Sequence, residues 1–143
     1  MREILFRGKC NEVGKYNGQW IEGFYGEDDG KPIIARSTDH GLIGYFCEPD
    51  SIGQYTGLTD KNGKKIFEGD ILAAPDYPNL KYKVSFANAN FCVKCPAQPY
   101  LFYLGSRCFD MFGNPEYEIV GNVYDSDKEP FGNPEQLGGE SDG

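Results

Sequence analysis

The hydrophobic and polar positions of this chain alternate over short stretches and show no sustained helical period. In the first part, residues 3–9 carry Ile4 and Phe6 on one face, and aliphatic or aromatic residues fill residues 19–25 and 31–36. A period of two is typical of half-buried β-strands. The pattern therefore predicts a meander of three strands joined by glycine-containing turns.

The second half shows the same alternation more clearly. Tyr82, Val84 and Phe86 alternate with polar residues, and residues 117–123 repeat the pattern. Each segment predicts a strand with one apolar side. The apolar run at residues 100–104 fits either a buried strand or the core of a short helix, because periodicity alone does not separate the two. A strand is the preferred interpretation.

Glycine and proline interrupt the sequence so often that few stretches are long enough for a helix. The chain has 19 Gly and 9 Pro among 143 residues, and both are costly in helix interiors. We therefore expect a mainly β protein with little helix. Residues 1–50 are predicted to form an antiparallel meander, residues 51–125 a small barrel-type unit of the SH3-like kind, and residues 126–143 an acidic, flexible tail.

Composition and charge favour a folded, soluble protein. Aromatic residues make up 15% of the chain, which is too apolar for a disordered protein. No apolar run reaches the roughly 18 residues of a membrane span, and no signal-peptide core is visible, so we expect a cytoplasmic protein without a membrane partner. The net charge is −8, of which residues 125–143, with six acids and one lysine, carry −5. This balance disfavours nonspecific nucleic-acid binding but leaves room for a local basic face.

The five cysteines are scattered along the chain, at Cys10, Cys47, Cys92, Cys95 and Cys108. An odd number without a secretion signal argues against a disulfide framework, so we expect reduced thiols in the core. The spacing of Cys92 and Cys95 also suits zinc or redox chemistry. A structural zinc site needs about four ligands, however, and no second pair with this spacing is present. We therefore prefer ordinary packing, with no metal and no cofactor.

Other candidate chemistry is incomplete. Asp39 precedes His40, which suggests a general base, but adjacent residues of an extended chain point apart and no nucleophile motif accompanies them. We therefore interpret His40 as a turn residue and expect no catalytic residues. Some aromatic side chains could stack on bases or pack within a sheet, and packing is the preferred interpretation. These are Trp20, Phe24, Tyr25, Tyr45, Phe46 and Tyr55.

Lysines supply the candidate binding surface. One group surrounds a turn predicted at residues 60–64, where Asn62 and Gly63 tolerate the positive φ of a tight hairpin. A second group lies on the strand predicted at residues 81–86, near tyrosine and phenylalanine. Both could contact nucleic acid or an acidic partner, although solvated lysines are the simpler interpretation. The candidates are Lys61, Lys64, Lys65, Lys81 and Lys83.

The most distinctive stretch is GQYTGLTDKNGKKIFEGDI, at residues 53–71. It resembles the central signature of the YopX family, and the later EIVGNVYD, at residues 118–125, resembles the family's final strand. The openings at residues 2–9 and 18–25 are also similar, whereas residues 87–112 match nothing in the family pattern. The signature residues, which we interpret as mainly structural, are Gly53, Gln54, Tyr55, Thr56, Gly57, Asp60, Asn62, Gly63, Glu68, Gly69, Asp70, Gly121 and Asn122.

The resemblance implies a phage or prophage protein with no established enzymatic role, located in the cytoplasm of a bacterial host. Within the signature, Gly69 is expected to permit a tight bend, and the Asp70 carboxylate to accept backbone N–H groups, as in small SH3-like barrels.

We expect a non-enzymatic protein that acts through protein–protein contacts and self-associates, because short sheets leave edge strands that a symmetric partner can cover. The alternative is a nucleic-acid-binding module that uses the lysine-rich hairpin and strand face. A hydrolase or metal enzyme is a third hypothesis.

Overall fold

The computed structural model describes residues 4–98 and 100–125 and consists mainly of β-strands. Within these ranges, Leu104–Arg107 is the one α-helical segment (α1), and Pro49–Ser51 forms a short 3-10 helix. The prediction of a mainly β fold with little helix is confirmed. No helix of the described ranges is long and apolar enough to cross a membrane. The predicted flexible tail, residues 126–143, lies outside those ranges.

The chain divides into two compact units, one ending at Gly57 and the other beginning at Leu58. The strands of the first unit are β1 (Phe6–Lys9), β2 (Trp20–Asp28), β3 (Lys31–Thr38), β4 (Gly41–Phe46) and β5 (Gly53–Thr59), whose last residues belong to the second unit. They follow the order β4-β3-β2-β1-β5, with antiparallel pairing. The three predicted strands are β1 to β3. The sequence did not predict β4, because Gly41 and Gly44 interrupt its apolar run.

The core of the first unit lies on one face of this sheet. It consists of Cys10, Ile21, Ile34, Tyr45 and Cys47, with Phe6, Tyr16 and Ile52 packed against it. Close strand packing requires glycine at one position, because a Cβ on Gly23 would lie 2.2 Å from the carbonyl oxygen of Ala35. A larger residue there would force β2 and β3 apart.

The second unit contains an open antiparallel sheet. The strands of this unit are β6 (Lys65–Phe67), β7 (Asp70–Ala73), β8 (Tyr82–Ala87), β9 (Asn90–Lys94), β10 (Leu101–Tyr103) and β11 (Glu118–Asn122). The sheet consists of the last five in the order β10-β9-β8-β7-β11, and β6 is not part of it. The predicted SH3-like barrel is corrected by this order, because the sheet does not close into a barrel in the described ranges. At its ends, β10 has three residues, and β11 has a bulge between Ile119 and Gly121.

The core of the second unit confirms the alternation read from the sequence. Tyr82, Val84 and Val93 are almost completely buried, while Lys81 and Lys83 are exposed. Phe86 is the exception, because it is 53% exposed, with its ring edge-on to that of Phe91.

The ambiguous apolar run at residues 100–104 splits between its two interpretations. Leu101–Tyr103 is strand β10, as preferred, and Leu104 begins α1 with its side chain buried in the core.

Candidate functional site

The five candidate lysines all lie exposed in the second unit. Three of them, Lys61, Lys64 and Lys65, surround the turn between β5 and β6, as the sequence predicted. Lys81 precedes β8 and Lys83 lies within it.

The backbone of this turn is held by one buried carboxylate. Asp60 is 1% exposed, and its Oδ1 accepts hydrogen bonds from the N–H groups of Asn62 and Lys64, both at 2.9 Å. Its Oδ2 accepts a third from the N–H of Ile119 on β11, also at 2.9 Å. The Asp60 side chain therefore shapes the turn and attaches it to the sheet, which gives this signature residue a structural role.

A second loop repeats the geometry of the first. Asp110 Oδ1 accepts from the N–H groups of Phe112 and Asn114 at 2.9 Å, and Gly113 has φ +84°, against +83° for Gly63. Unlike Asp60, Asp110 makes no bond to a distant strand within the described residues, and its Oδ2 accepts from the Asn114 side chain instead. Both loops share the sequence Asp-x-x-Gly, which is the signal that could have predicted the second loop.

The second signature carboxylate behaves as predicted. Asp70 is 1% exposed, and its Oδ2 accepts a hydrogen bond from the N–H of Phe67 at 2.8 Å. Gly69 has φ +92°, which glycine adopts readily. The N–H of Gly69 donates to Val84 O, and its carbonyl accepts from Val123 N–H. The Gly69-Asp70 turn is therefore bonded to the end of β6, to β8 and to the residue that follows β11.

One pair of lysines on neighbouring strands was not predicted from the sequence. Lys83 on β8 lies directly opposite Lys94 on β9, and Lys94 in turn lies opposite Leu101 on β10. The same face carries Tyr103, opposite Cys92. The lysines are exposed, Leu101 is 46% exposed and Tyr103 is 55% exposed. We call Lys83, Lys94, Leu101 and Tyr103 the lysine row. Strand register, which the sequence did not give, brings them together.

The outer edge of the first sheet is a second candidate surface. β4 is the last strand in the order of the described residues and contains no charged residue and no proline. Leu42 is 62% exposed and Ile43 is 37% exposed. Natural edge strands are usually blocked by charge, proline or bulges, so an uncharged edge strand is suited to pairing with another strand.

Among the described residues, the loop after β1 covers one end of β4. The N–H of Phe46 donates to Glu12 Oε2 at 2.7 Å, and Phe46 O accepts from the N–H of Asn11 at 3.0 Å. In an antiparallel strand, the polar backbone groups of every second residue point to the same side. Because those of Phe46 point away from β3, those of Gly44 and Leu42 do as well.

The second unit also contains a pocket of about 210 Å³ next to α1. Nothing in the sequence indicated it. It is lined by Ala74, Tyr77, Leu80, Tyr82, Arg107 and Tyr117.

The cysteines confirm the interpretation as core thiols. All five are free and buried. Burial raises the pKa of Cys47 to about 11 and that of Cys108 to about 12. Among the described residues, no group of three or more His, Cys, Asp or Glu side chains could hold a metal ion. His40 is exposed in the turn between β3 and β4, where its N–H donates to Thr38 Oγ1 at 3.1 Å.

The candidate stacking aromatics divide between core and surface. Tyr45 and Tyr55 are 8% exposed, which agrees with packing inside the protein. Phe24 and Tyr25 are instead exposed, at 57% and 42%. Arg7 covers the ring of Trp20, with its Cζ 4.6 Å from the ring centroid. Packing is therefore confirmed for the two buried tyrosines. Tyr25 is partly exposed but its ring centroid lies 5.5 Å from that of Phe6, whereas Phe24 is mostly exposed.

Comparison with known protein families identifies the family of this chain. A family model described as YopX protein matches residues 5–129, most of the chain. The chain therefore belongs to the YopX family, as the signature at residues 53–71 indicated. No curated protein matches the sequence.

Proposed function

We propose that this member of the YopX family is a non-enzymatic protein that acts through protein–protein contacts and self-associates by pairing the open edge of β4 with β4 of a second copy. The observation that carries the proposal is the exposed, uncharged edge formed by Leu42, Ile43 and Gly44. An exposed apolar side chain on an edge strand is costly in water, and pairing would cover both the side chain and the backbone groups beside it.

The covered end of β4 limits the pairing register. Glu12 and Asn11 occupy the outward groups of Phe46, so Leu42 and Gly44 supply the free outward groups within the strand. In an antiparallel pair centred on Ile43, Leu42 of each copy lies opposite Gly44 of the other, so the outward N–H and C=O groups of both residues form hydrogen bonds. Such a pair is symmetric about a two-fold axis, which is the commonest symmetry of protein dimers. Ile43 of one copy would lie directly opposite Ile43 of the other.

Leu42→Lys tests this function. A lysine at this position introduces charge repulsion across the two-fold axis and should shift the chain to monomer in sedimentation velocity. Met111→Lys is the matched control, since it adds the same charge at an 89% exposed position in the second unit and should leave association unchanged. A monomeric wild-type protein at high concentration, or equal association of both variants, would refute the β4 interface.

A second function is supported by the lysine row. Like charges directly opposite each other repel, and a bound phosphate would relieve that repulsion between Lys83 and Lys94. Tyr103 on the same face offers a ring for stacking on a base. We therefore keep nucleic-acid binding as the second candidate, with Lys81 and the turn lysines, Lys61, Lys64 and Lys65, as further phosphate contacts.

Salt dependence distinguishes this second function from protein binding. Removing two phosphate contacts with Lys83→Gln and Lys94→Gln together should lower the salt slope of single-strand binding by about 1.4. Two changes elsewhere, Lys15→Gln and Lys31→Gln, give the same net charge and should leave the slope unchanged. Absence of a mobility shift with single- or double-stranded DNA or RNA at low salt would exclude nucleic-acid binding.

We further propose that the protein is encoded by a phage or prophage and works in the cytoplasm of the host. Membership of the YopX family supports the first statement. Fractionation of host cells that carry the gene would test the second, and recovery of the protein outside the cytoplasm would overturn it.

A further inference from the structure

Arg107, the last residue of α1, places its positive charge among aromatic rings. Its Cζ lies 4.4 Å from the ring centroid of Phe102 and 5.4 Å from that of Tyr82. Its Nη2 donates a hydrogen bond to the Tyr82 hydroxyl at 2.8 Å. Within residues 4–98 and 100–125, no carboxylate pairs with this guanidinium, and its buried Nε has no hydrogen-bond partner. Ring contacts and one phenol therefore hold a cation whose charge is not neutralised.

Tyr82 fixes the direction of this guanidinium. Its hydroxyl accepts from Arg107 and donates to Gln98 Oε1 at 3.1 Å, so both of its hydrogen-bonding roles are in use. The Tyr82 ring is 1% exposed and meets the Tyr117 ring edge-on at 5.6 Å. Tyr82 is thus a positioning residue: it cannot turn away without breaking two bonds. A guanidinium has five N–H donors, and the bond to Tyr82 uses one of them.

Two other lining residues contribute ring and aliphatic carbon to the pocket. Tyr77 and Leu80 lie on the loop between β7 and β8, where Tyr77 N–H donates to Ala74 O at 3.0 Å and Leu80 N–H donates to Tyr77 O at 3.1 Å. Tyr77 is 65% exposed, so its ring lies at the solvent boundary. The pocket thus combines a charged end with walls of ring and aliphatic carbon.

The size of the pocket limits the ligand. A volume of about 210 Å³ holds about seven water-sized groups at roughly 30 Å³ each. That is enough for one six-membered ring with a small substituent, and less than the roughly 300 Å³ or more of sites for drug-sized molecules.

We propose that this pocket binds a small ligand that carries an oxyanion on a single aromatic ring. The oxyanion would receive the free N–H donors of Arg107, whose planar fork matches carboxylate and phosphate oxygens. The ring would pack between Tyr77, Leu80 and Tyr117, where aromatic edges and faces are available. This site is separate from the β4 edge, so its test does not depend on self-association.

A titration with four probes tests the proposal. Benzoate and phenyl phosphate carry both ligand features, benzyl alcohol keeps the ring without the charge, and acetate keeps the charge without the ring. In proton–nitrogen correlation NMR, benzoate or phenyl phosphate should shift the Arg107 Nε–H signal saturably. The other two should bind about tenfold more weakly or worse, the loss expected when a charged hydrogen bond or the ring contact is removed. The better of the first two identifies a carboxylate or a phosphate source.

Variants locate the site. Arg107→Gln should weaken benzoate or phenyl phosphate binding by about tenfold or more. Arg36→Gln is the matched control, because Arg36 also lies over two tyrosine rings, at 5.1 and 5.0 Å, but in the first unit. Tyr77→Ala, at an exposed position, should weaken ring binding while the fold is kept. Equal binding of benzyl alcohol by the wild-type protein, or absence of any saturable shift, would overturn the proposal whether or not Arg107→Gln folds.

Discussion

The backbone N–H of Phe46 donates to Glu12 Oε2 at 2.7 Å, so a carboxylate from the loop after β1 closes one end of the β4 edge. Neighbouring Asn11 adds a backbone bond to Phe46 O and a side-chain bond to Glu48 Oε2 at 2.9 Å. The open part of β4 therefore ends at Gly44. Where this contact sits determines which residues of the edge can pair with another chain.

Removing this carboxylate should destabilise the first unit. Glu12→Ala leaves the Phe46 N–H without its charged acceptor, and a hydrogen bond to a charged group contributes about 1.5–3 kcal/mol. We expect a lower denaturation midpoint and faster hydrogen exchange at Phe46. Glu27→Ala is the control, because Glu27 Oε2 accepts an exposed hydrogen bond from the Tyr25 hydroxyl. Equal midpoints for the two variants would contradict a role for Glu12 at the edge.

The two matching loops should differ in their importance for stability. Asp60→Ala removes an acceptor of three backbone N–H groups from a buried position, and we expect a loss of about 3–5 kcal/mol and a Tm lower by about 10 °C or more. Asp110→Ala breaks the same local bonds in an exposed loop and should lower Tm much less. Calorimetry of the two variants checks this. Similar losses would show that attachment to Ile119 contributes nothing.

Local chemistry made part of this structure predictable. The Gly69-Asp70 turn and the exposed lysines at residues 61–65 follow from residue types that are neighbours in sequence, and both agree with the structure. The alternation at Tyr82 and Val84 also identified buried positions of β8, because one apolar face must be covered.

Long-range relationships were not predictable. Lys94 faces Lys83 only because of the β8–β9 register, and Arg107 meets Tyr82 across 25 positions of sequence. The open sheet of the second unit was not predictable for the same reason, because it also depends on which distant strands pair. Turn chemistry in the signature suggested a small barrel, but closure depends on how the outer strands pair. In the part of the chain that the structure describes, β11 pairs with β7 and β10 pairs with β9, and β10 and β11 do not pair with each other.

The stability of the loop at Asp110 should depend on pH in the acidic range. The backbone N–H of Asn114 lowers the pKa of Asp110 below its ordinary 3.8, helped by the Asn114 side chain and the N–H groups of Phe112 and Gly113, while burial opposes the shift. A lowered carboxyl pKa stabilises the folded loop above the unfolded pKa, and the stabilisation is lost as pH falls from 3.8 through the folded value. An NMR titration of Asp110 should give a midpoint under 3.8, whereas a midpoint at or above 3.8 would contradict the loop geometry.

The thiols should be unreactive in the folded protein. With a pKa of about 11 for Cys47 and about 12 for Cys108, at pH 8 only about one in a thousand or fewer of these groups is a thiolate, the form that reacts. Titration with Ellman's reagent should be slow in native protein and give five thiols per chain in guanidinium. A thiol that reacts as fast before unfolding as after it would show that the core is open.

Ile43→Cys crosslinking tests the β4 interface most directly. The proposed two-fold axis places residue 43 opposite itself in a pair without mutual hydrogen bonds, where Cα atoms are about 4.5 Å apart and a disulfide can form. The native cysteines are buried and should give little background. Phe24→Cys is the control, at a 57% exposed position of the central strand β2. Under mild oxidation, Ile43→Cys should form a reducible covalent dimer that Leu42→Lys suppresses; a monomer, or a yield no greater than that of Phe24→Cys, would contradict self-association through β4.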